Sequence, residues 1–168
     1  VRRKTSLIGA LLVENGDADG MICGTFSYYQ LHLKYVSRVI GKKEGVSDFY
    51  AMNAVLMQDR NIFIADTYIH EDPTAEQLAE MTVLAADQLR RFSITPRVAL
   101  VSHSNFGTSD RASAVKMRKV HQLLTEMNVD FDFDGEMQGD AALDEHIRAN
   151  DLPSSNLKGS ANLLILPT

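Results

Sequence analysis

Five small polar residues crowd around one glycine in the stretch ALVSHSNFGTSD, residues 99–110. Ser102, Ser104, Asn105, Thr108 and Ser109 offer hydroxyls and an amide. Gly107 lets the backbone turn and approach a ligand closely. The helix-like pattern that follows would add free N–H groups and a positive dipole end. Together these suit a phosphate or a carboxylate, although the same residues also suffice to cap a helix and satisfy a turn. His103 is a candidate general base, but spacing reveals no nucleophile–base–acid set, because such sets are spatial.

Other chemistry-bearing residues are scattered. Asp130, Asp132 and Asp134 alternate with Phe131 and Phe133 in FDFDGEMQGD, which puts the aspartates on one strand face, expected to be solvated. Their spacing is not that of a calcium loop. Glu136 and Asp140 are placed for a cleft. Lys34, Arg38, Lys42 and Lys43 lie in or after one helix, and Lys158 lies in LKGSAN before the last strand. The single cysteine, Cys23, sits in GMICG and reads as a buried small residue. No glycine-rich dinucleotide or P-loop fingerprint is present, and no zinc-type cluster.

The elements that must position these residues alternate. Residues 6–15 read as a short helix, NGDADG as a turn and GMICGT as a short buried strand. Residues 28–40 place Leu31, Tyr35, Val36, Val39 and Ile40 on one helical face. FYAMNAVLM and NIFIADTYI flank the turn QDRN, so a hairpin is expected. Asp72 and Pro73 open a helix carrying Leu78, Met81, Ala85, Leu89 and Phe92 at helical spacing. RVALVS is a buried strand, and Ser109 or Asp110 caps the next helix. FDFD is a strand, DAALDEHIRAN a helix and ANLLILP a strand. This order predicts an α/β fold with a mainly parallel sheet.

The chain of 168 residues fits one domain. Its net charge of −5 argues against a nucleic-acid or anionic-membrane surface. No run approaches the roughly 20 apolar residues of a membrane helix. One cysteine permits no intrachain disulfide, which suits a reducing cytoplasm. The chain starts without methionine and ends on ANLLILPT, so residues 1–168 are expected to be a domain fragment truncated at both ends.

Five separated segments resemble the phosphate acetyltransferase family: GDADGMICG, DPTAEQLAEMTVLAA, PRVALVSHSNFGTS, DGEMQGDAAL and LKGSANLLILP. HLKYVSRVIG, RRFSITPRVAL, SHSNFG and GEM are similar to one branch, the phosphotransacetylase-like C-terminal region of large bacterial NADP-dependent malic enzymes. The resemblance implies an isocitrate-dehydrogenase-like α/β/α sandwich and a cleft for coenzyme A thioesters. It departs from active transferases at Phe106, which stands where their loop carries a basic residue. Lys34 stands for their arginine, keeping the charge without the bidentate fork. The family's catalytic serine-arginine and aspartate segment is expected beyond residue 168.

On this resemblance the chain is expected to be a regulatory and oligomerisation domain that binds acetyl-CoA as an allosteric effector and holds no cofactor of its own. Ser102, Ser104, Asn105, Gly107, Thr108, Ser109, Lys34 and Lys158 are the expected ligand contacts, with no catalytic or metal-ligating residue. NADP, a divalent metal and malate chemistry belong to a malic enzyme domain of the same polypeptide, its expected partner beside other copies of itself. The alternatives are a phosphate acetyltransferase, moving acetyl between CoA and phosphate, and a purely structural oligomerisation module.

Overall fold

The computed structural model describes residues 4–67 and 69–167. The chain divides into two compact units, Val1–Asp48 and Phe49–Thr168. In the first unit, helix α1 (Thr5–Glu14) packs with helix α2 (Tyr29–Val39). The strand expected at GMICGT does not form; residues 20–25 are irregular. Strands need a ladder partner, and Gly24 turns the backbone out of the extended region at φ +108°. Cys23 is exposed rather than buried. Leu31 and Ile40, expected on the apolar face of α2, are exposed as well.

The second unit is a five-stranded sheet. Strands β1 (Met52–Leu56) and β2 (Asn61–Ala65) form the expected antiparallel hairpin. Helix α3 (Ala75–Arg91) then leads to β3 (Arg97–Val101), and α4 (Ala112–Glu126) to β4 (Asp132–Met137). The expected single helix after β4 is two, α5 (Gly139–Leu143) and α6 (Glu145–Asp151), before β5 (Leu163–Ile165). Asp144 makes the break: its carboxylate accepts from the N–H groups of His146 and Ile147 and starts a new helix. The strand order is β1-β2-β5-β3-β4, with β2, β5, β3 and β4 parallel.

Two apolar layers enclose the sheet. Phe63, Val98, Leu100, Leu163 and Ile165 meet α3 and α4 on one face. Ile62, Ala99 and Leu164 meet Ala141, Ala142, Leu152 and Leu157 on the other. This is the expected α/β/α sandwich. The connection leaving β3 crosses one face and the one leaving β4 the opposite face. Their carboxyl ends therefore flank the kind of crevice where open α/β sheets hold ligands.

Helix starts differ from the expected ones. Thr74, not Asp72, caps α3: its hydroxyl accepts from Gln77 N (3.2 Å), while Thr74 N donates to Gln77 Oε1 (2.9 Å). This reciprocal pair satisfies two donors at once. Thr74→Ala is expected to cost about 1 kcal/mol, read as a fall of about 2–4 °C in Tm. A loss below measurement error would show that the box carries no stability. Helix α4 starts after Arg111 with no side-chain cap; Ser109 Oγ accepts from Arg111 N instead.

The pairing of β3 with β4 contains a bulge. Leu100 faces Gly135 and Val101 faces Met137, leaving Glu136 as the extra residue. Bulges re-aim side chains. Phe133 packs toward the α3/α4 layer, whereas Met137, an even number of residues later, packs in the opposite one. The aspartate face is not the solvated one expected, because the segment entering β5 covers it at Asp134, whose Oδ2 accepts from Ser155 Oγ and Asn156 N (2.7 Å each). Asp132 is exposed, but Asp134 and Glu136 are buried.

Candidate functional site

The loop after β3 is built around one carboxylate. Glu136 is 1% exposed, and its Oε1 accepts three hydrogen bonds. The donors are the Ser104 hydroxyl (2.8 Å), the Gly107 N–H (2.9 Å) and Arg118 Nη1 (3.0 Å). The Phe106 N–H donates to the Glu136 carbonyl (2.9 Å). To present these donors the backbone takes two consecutive left-handed conformations, Phe106 at φ +44° and Gly107 at φ +89°. Gly107 adopts this freely; Phe106 does so at a cost that its hydrogen bond and its packing against the second apolar layer offset.

Arg118, on α4, also donates to the Ser109 carbonyl (2.9 Å) and to Asp110 Oδ1 (3.2 Å). One guanidinium thus serves two carboxylates. The anion seat read from the loop's composition is filled from within by Glu136. A further anion arriving there meets two acids and a cation already paired, so the field favours neutral polar groups over phosphate.

The remaining expected contacts sort by position. Asn105 Oδ1 accepts from Gln138 N (2.7 Å), and Asn105 N donates to Thr108 Oγ1 (3.0 Å). Gln138 Nε2 reaches the His103 carbonyl (3.2 Å), so the loops after β3 and β4 are stitched across the crevice. His103 lies between the Ser109 and Ser113 hydroxyls (3.0 and 3.3 Å) and is exposed. Among the described residues, the Ser102 hydroxyl is buried without a partner, as is that of Thr67 beyond β2. These two orphans flank the carboxyl end of β5 in the strand order. A buried hydroxyl left unpaired costs about 1–3 kcal/mol, which a ligand polar group can recover.

Lys158 is not brought to this loop. It precedes β5 beside Ser160, whose carbonyl accepts from Arg97 Nε at the start of β3, so the length of β3 separates it from Ser102. Lys34 is exposed on α2, in the other unit. Sequence reasoning missed Arg118 and Gln138 and did not anticipate the role of Glu136. The available signal was a glutamate between Gly135 and Met137 in an otherwise sheltered strand. Among the described residues no group of three or more His, Cys, Asp or Glu side chains is placed to hold a metal ion. No described helix is long and apolar enough to cross a membrane.

A family model described as phosphate acetyl/butaryl transferase matches residues 1–168. The chain belongs to this family. Its resemblance to solved phosphotransacetylases extends to the fold. A phosphotransacetylase from Streptococcus pyogenes superposes with a TM-score of 0.86 at 31% identity, over 98% of this chain and 51% of that one. Among curated relatives, the NADP-dependent malic enzyme of Escherichia coli is 52% identical over 96% of this chain and 21% of its own length. The NAD-dependent malic enzyme of Rhizobium meliloti is 50% identical over 99% of this chain and 22% of its own. The chain thus corresponds to the phosphate acetyl/butaryl transferase-like region of such malic enzymes and spans about a fifth of their length.

Proposed function

We propose that this chain is an acyl-CoA-responsive regulatory region, without phosphate acetyltransferase activity, of a cytoplasmic malic enzyme. Oxidative decarboxylation of malate, with its NADP and divalent metal, would be carried out by another domain of the same polypeptide. Phe106 carries the reading. At the loop position where the resembling transferases place a cation, an aromatic side chain packs against the apolar layer, and the guanidinium that reaches the loop, Arg118, is taken up by Glu136 and Asp110. Acyl transfer to an anionic acceptor such as phosphate needs preorganised positive charge at the transferring group. Ligand binding does not, and the unpaired Ser102 hydroxyl at the crevice supports it. The loop as built suits the uncharged acyl and amide parts of an acyl-CoA, leaving its phosphates to be met elsewhere.

Melting of the full polypeptide with and without acetyl-CoA tests this. Ligand at 100 times its dissociation constant is expected to stabilise the fold by about 2.7 kcal/mol. No shift at millimolar acetyl-CoA defeats the proposal and leaves the structural reading. Acetyl phosphate formation from acetyl-CoA and phosphate is expected to be absent, and its detection would restore the transferase reading. Phe106→Lys separates the two further, returning the charge at the cost of the ring's packing, so its melting is read beside its acetyl phosphate formation. Self-association belongs to the same proposal, and light scattering with and without acetyl-CoA reads it.

A further inference from the structure

A cavity of about 300 Å³ lies wholly within the first unit. Thr5, Ser6, Met21, Ile22, Phe26 and His32 contribute to its wall. Ser6 Oγ lies 2.6 Å from His32 Nδ1, and His32 Nε2 lies 2.8 Å from the Phe26 carbonyl oxygen. A carbonyl can only accept, so Nε2 carries the hydrogen and Nδ1 presents its lone pair to the serine hydroxyl. This is the arrangement of an activated nucleophile: hydroxyl, base, and a third group fixing the tautomer of the base.

We propose that Ser6, His32 and the Phe26 carbonyl form an acyl-accepting site for short-chain activated esters, separate from the loop after β3. The volume of this cleft suits a small acyl group, with Gly9 and Met21 beside Ser6 in its wall. Ser6 Oγ forms a bond to the acyl carbon as its proton passes to His32 Nδ1. The bond from that carbon to the leaving alcohol breaks, and Nδ1 returns the proton to the departing oxygen. Water then attacks the acyl-Ser6 with His32 again taking the proton. The carboxylic acid leaves, and the serine hydroxyl is restored.

The probe is p-nitrophenyl acetate with the whole chain, read by nitrophenolate release and by intact and peptide mass. One acetyl group on Ser6 is expected, formed in a burst. Ser6→Ala is expected to abolish it. His32→Gln is expected to slow it by about 100-fold or more, with melting and circular dichroism confirming that each variant is folded. Should Ser6→Ala fail to fold, covalent labelling of the unaltered chain by a fluorophosphonate, mapped by mass, decides instead. Acetyl found on Cys23 or on lysines but not on Ser6 overturns the proposal. So does a His32→Gln rate equal to that of the unaltered chain, or a fluorophosphonate that leaves Ser6 unlabelled.

Discussion

Replacing Gly135 by alanine is expected to lower Tm by about 10 °C or more, or to prevent folding of the sheet unit. A Cβ built there would lie 2.6 Å from the Leu100 carbonyl oxygen and 2.7 Å from Leu100 Cβ, on the neighbouring strand. Neither atom is the end of a flexible side chain, so relief requires β3 and β4 to separate. Gly135 also sits at φ +139°, where side chains are strained. Overpacking of 1–3 kcal/mol and backbone strain of similar size add to about 4 kcal/mol. That is a large share of the stability of an ordinary domain. Gly107→Ala is the matched control. Its φ is +89°, but a Cβ there meets nothing within 4 Å, so only the strain, about 1 kcal/mol, is expected. Equal losses for the two variants would show that close approach of the strands plays no part.

The second large effect is expected at Arg148. Its side chain is 2% exposed, and no carboxylate pairs with it among the described residues. Backbone carbonyls satisfy it: Ala141 (2.9 Å) and Ala142 (3.4 Å) from the last turn of α5, then Leu157 (3.1 Å) and Gly159. The guanidinium therefore sits at the negative end of α5 and ties that end to the segment entering β5. Arg148→Met keeps much of the volume but takes the donor from the Ala141, Leu157 and Gly159 carbonyls, while Ala142 keeps the Ala161 N–H, for an expected loss of about 3–5 kcal/mol. Arg148→Lys keeps the charge but lacks the planar fork, so an intermediate loss is expected. Urea unfolding measures both. A Met variant as stable as the original would mean that the carbonyls find water or one another at no cost.

What could be read from the sequence follows the range of the interactions. Helix α3, the hairpin and β3 rest on periodicity and turn residues within one segment, and they form as expected. The capping box was also present in the letters, with Thr74 three before Gln77; Asp72-Pro73 offered a competing start two residues earlier. GMICGT looked like a strand because its composition is apolar, yet a strand exists only where a ladder partner does. Asp134 reads as solvated beside Asp130 and Asp132, yet Ser155 and Asn156, 21 and 22 residues away, cover it. Glu136 reads as lying near a cleft, but the bulge that turns it inward depends on how β4 meets β3, which no local pattern encodes. In the candidate site, the polar loop and its glycine were legible. That Ser104 and Gly107 would spend their donors on Glu136 was not, because the pairing spans 32 and 29 residues.

Helix α4 holds more than the loop. Arg118 grips Glu136, Ser109 and Asp110; Lys119 pairs with Glu76 on α3; and Lys116 pairs with Asp72 and donates to the Pro167 carbonyl beyond β5. Three neighbouring basic side chains on one helix thus fasten the loop after β3, the start of α3 and the chain leaving the sheet. A ligand that pulls the loop away from Glu136 would load α4 directly. Because Lys116 on the same helix reaches the Pro167 carbonyl, a shift of α4 would also be felt where the chain leaves the sheet.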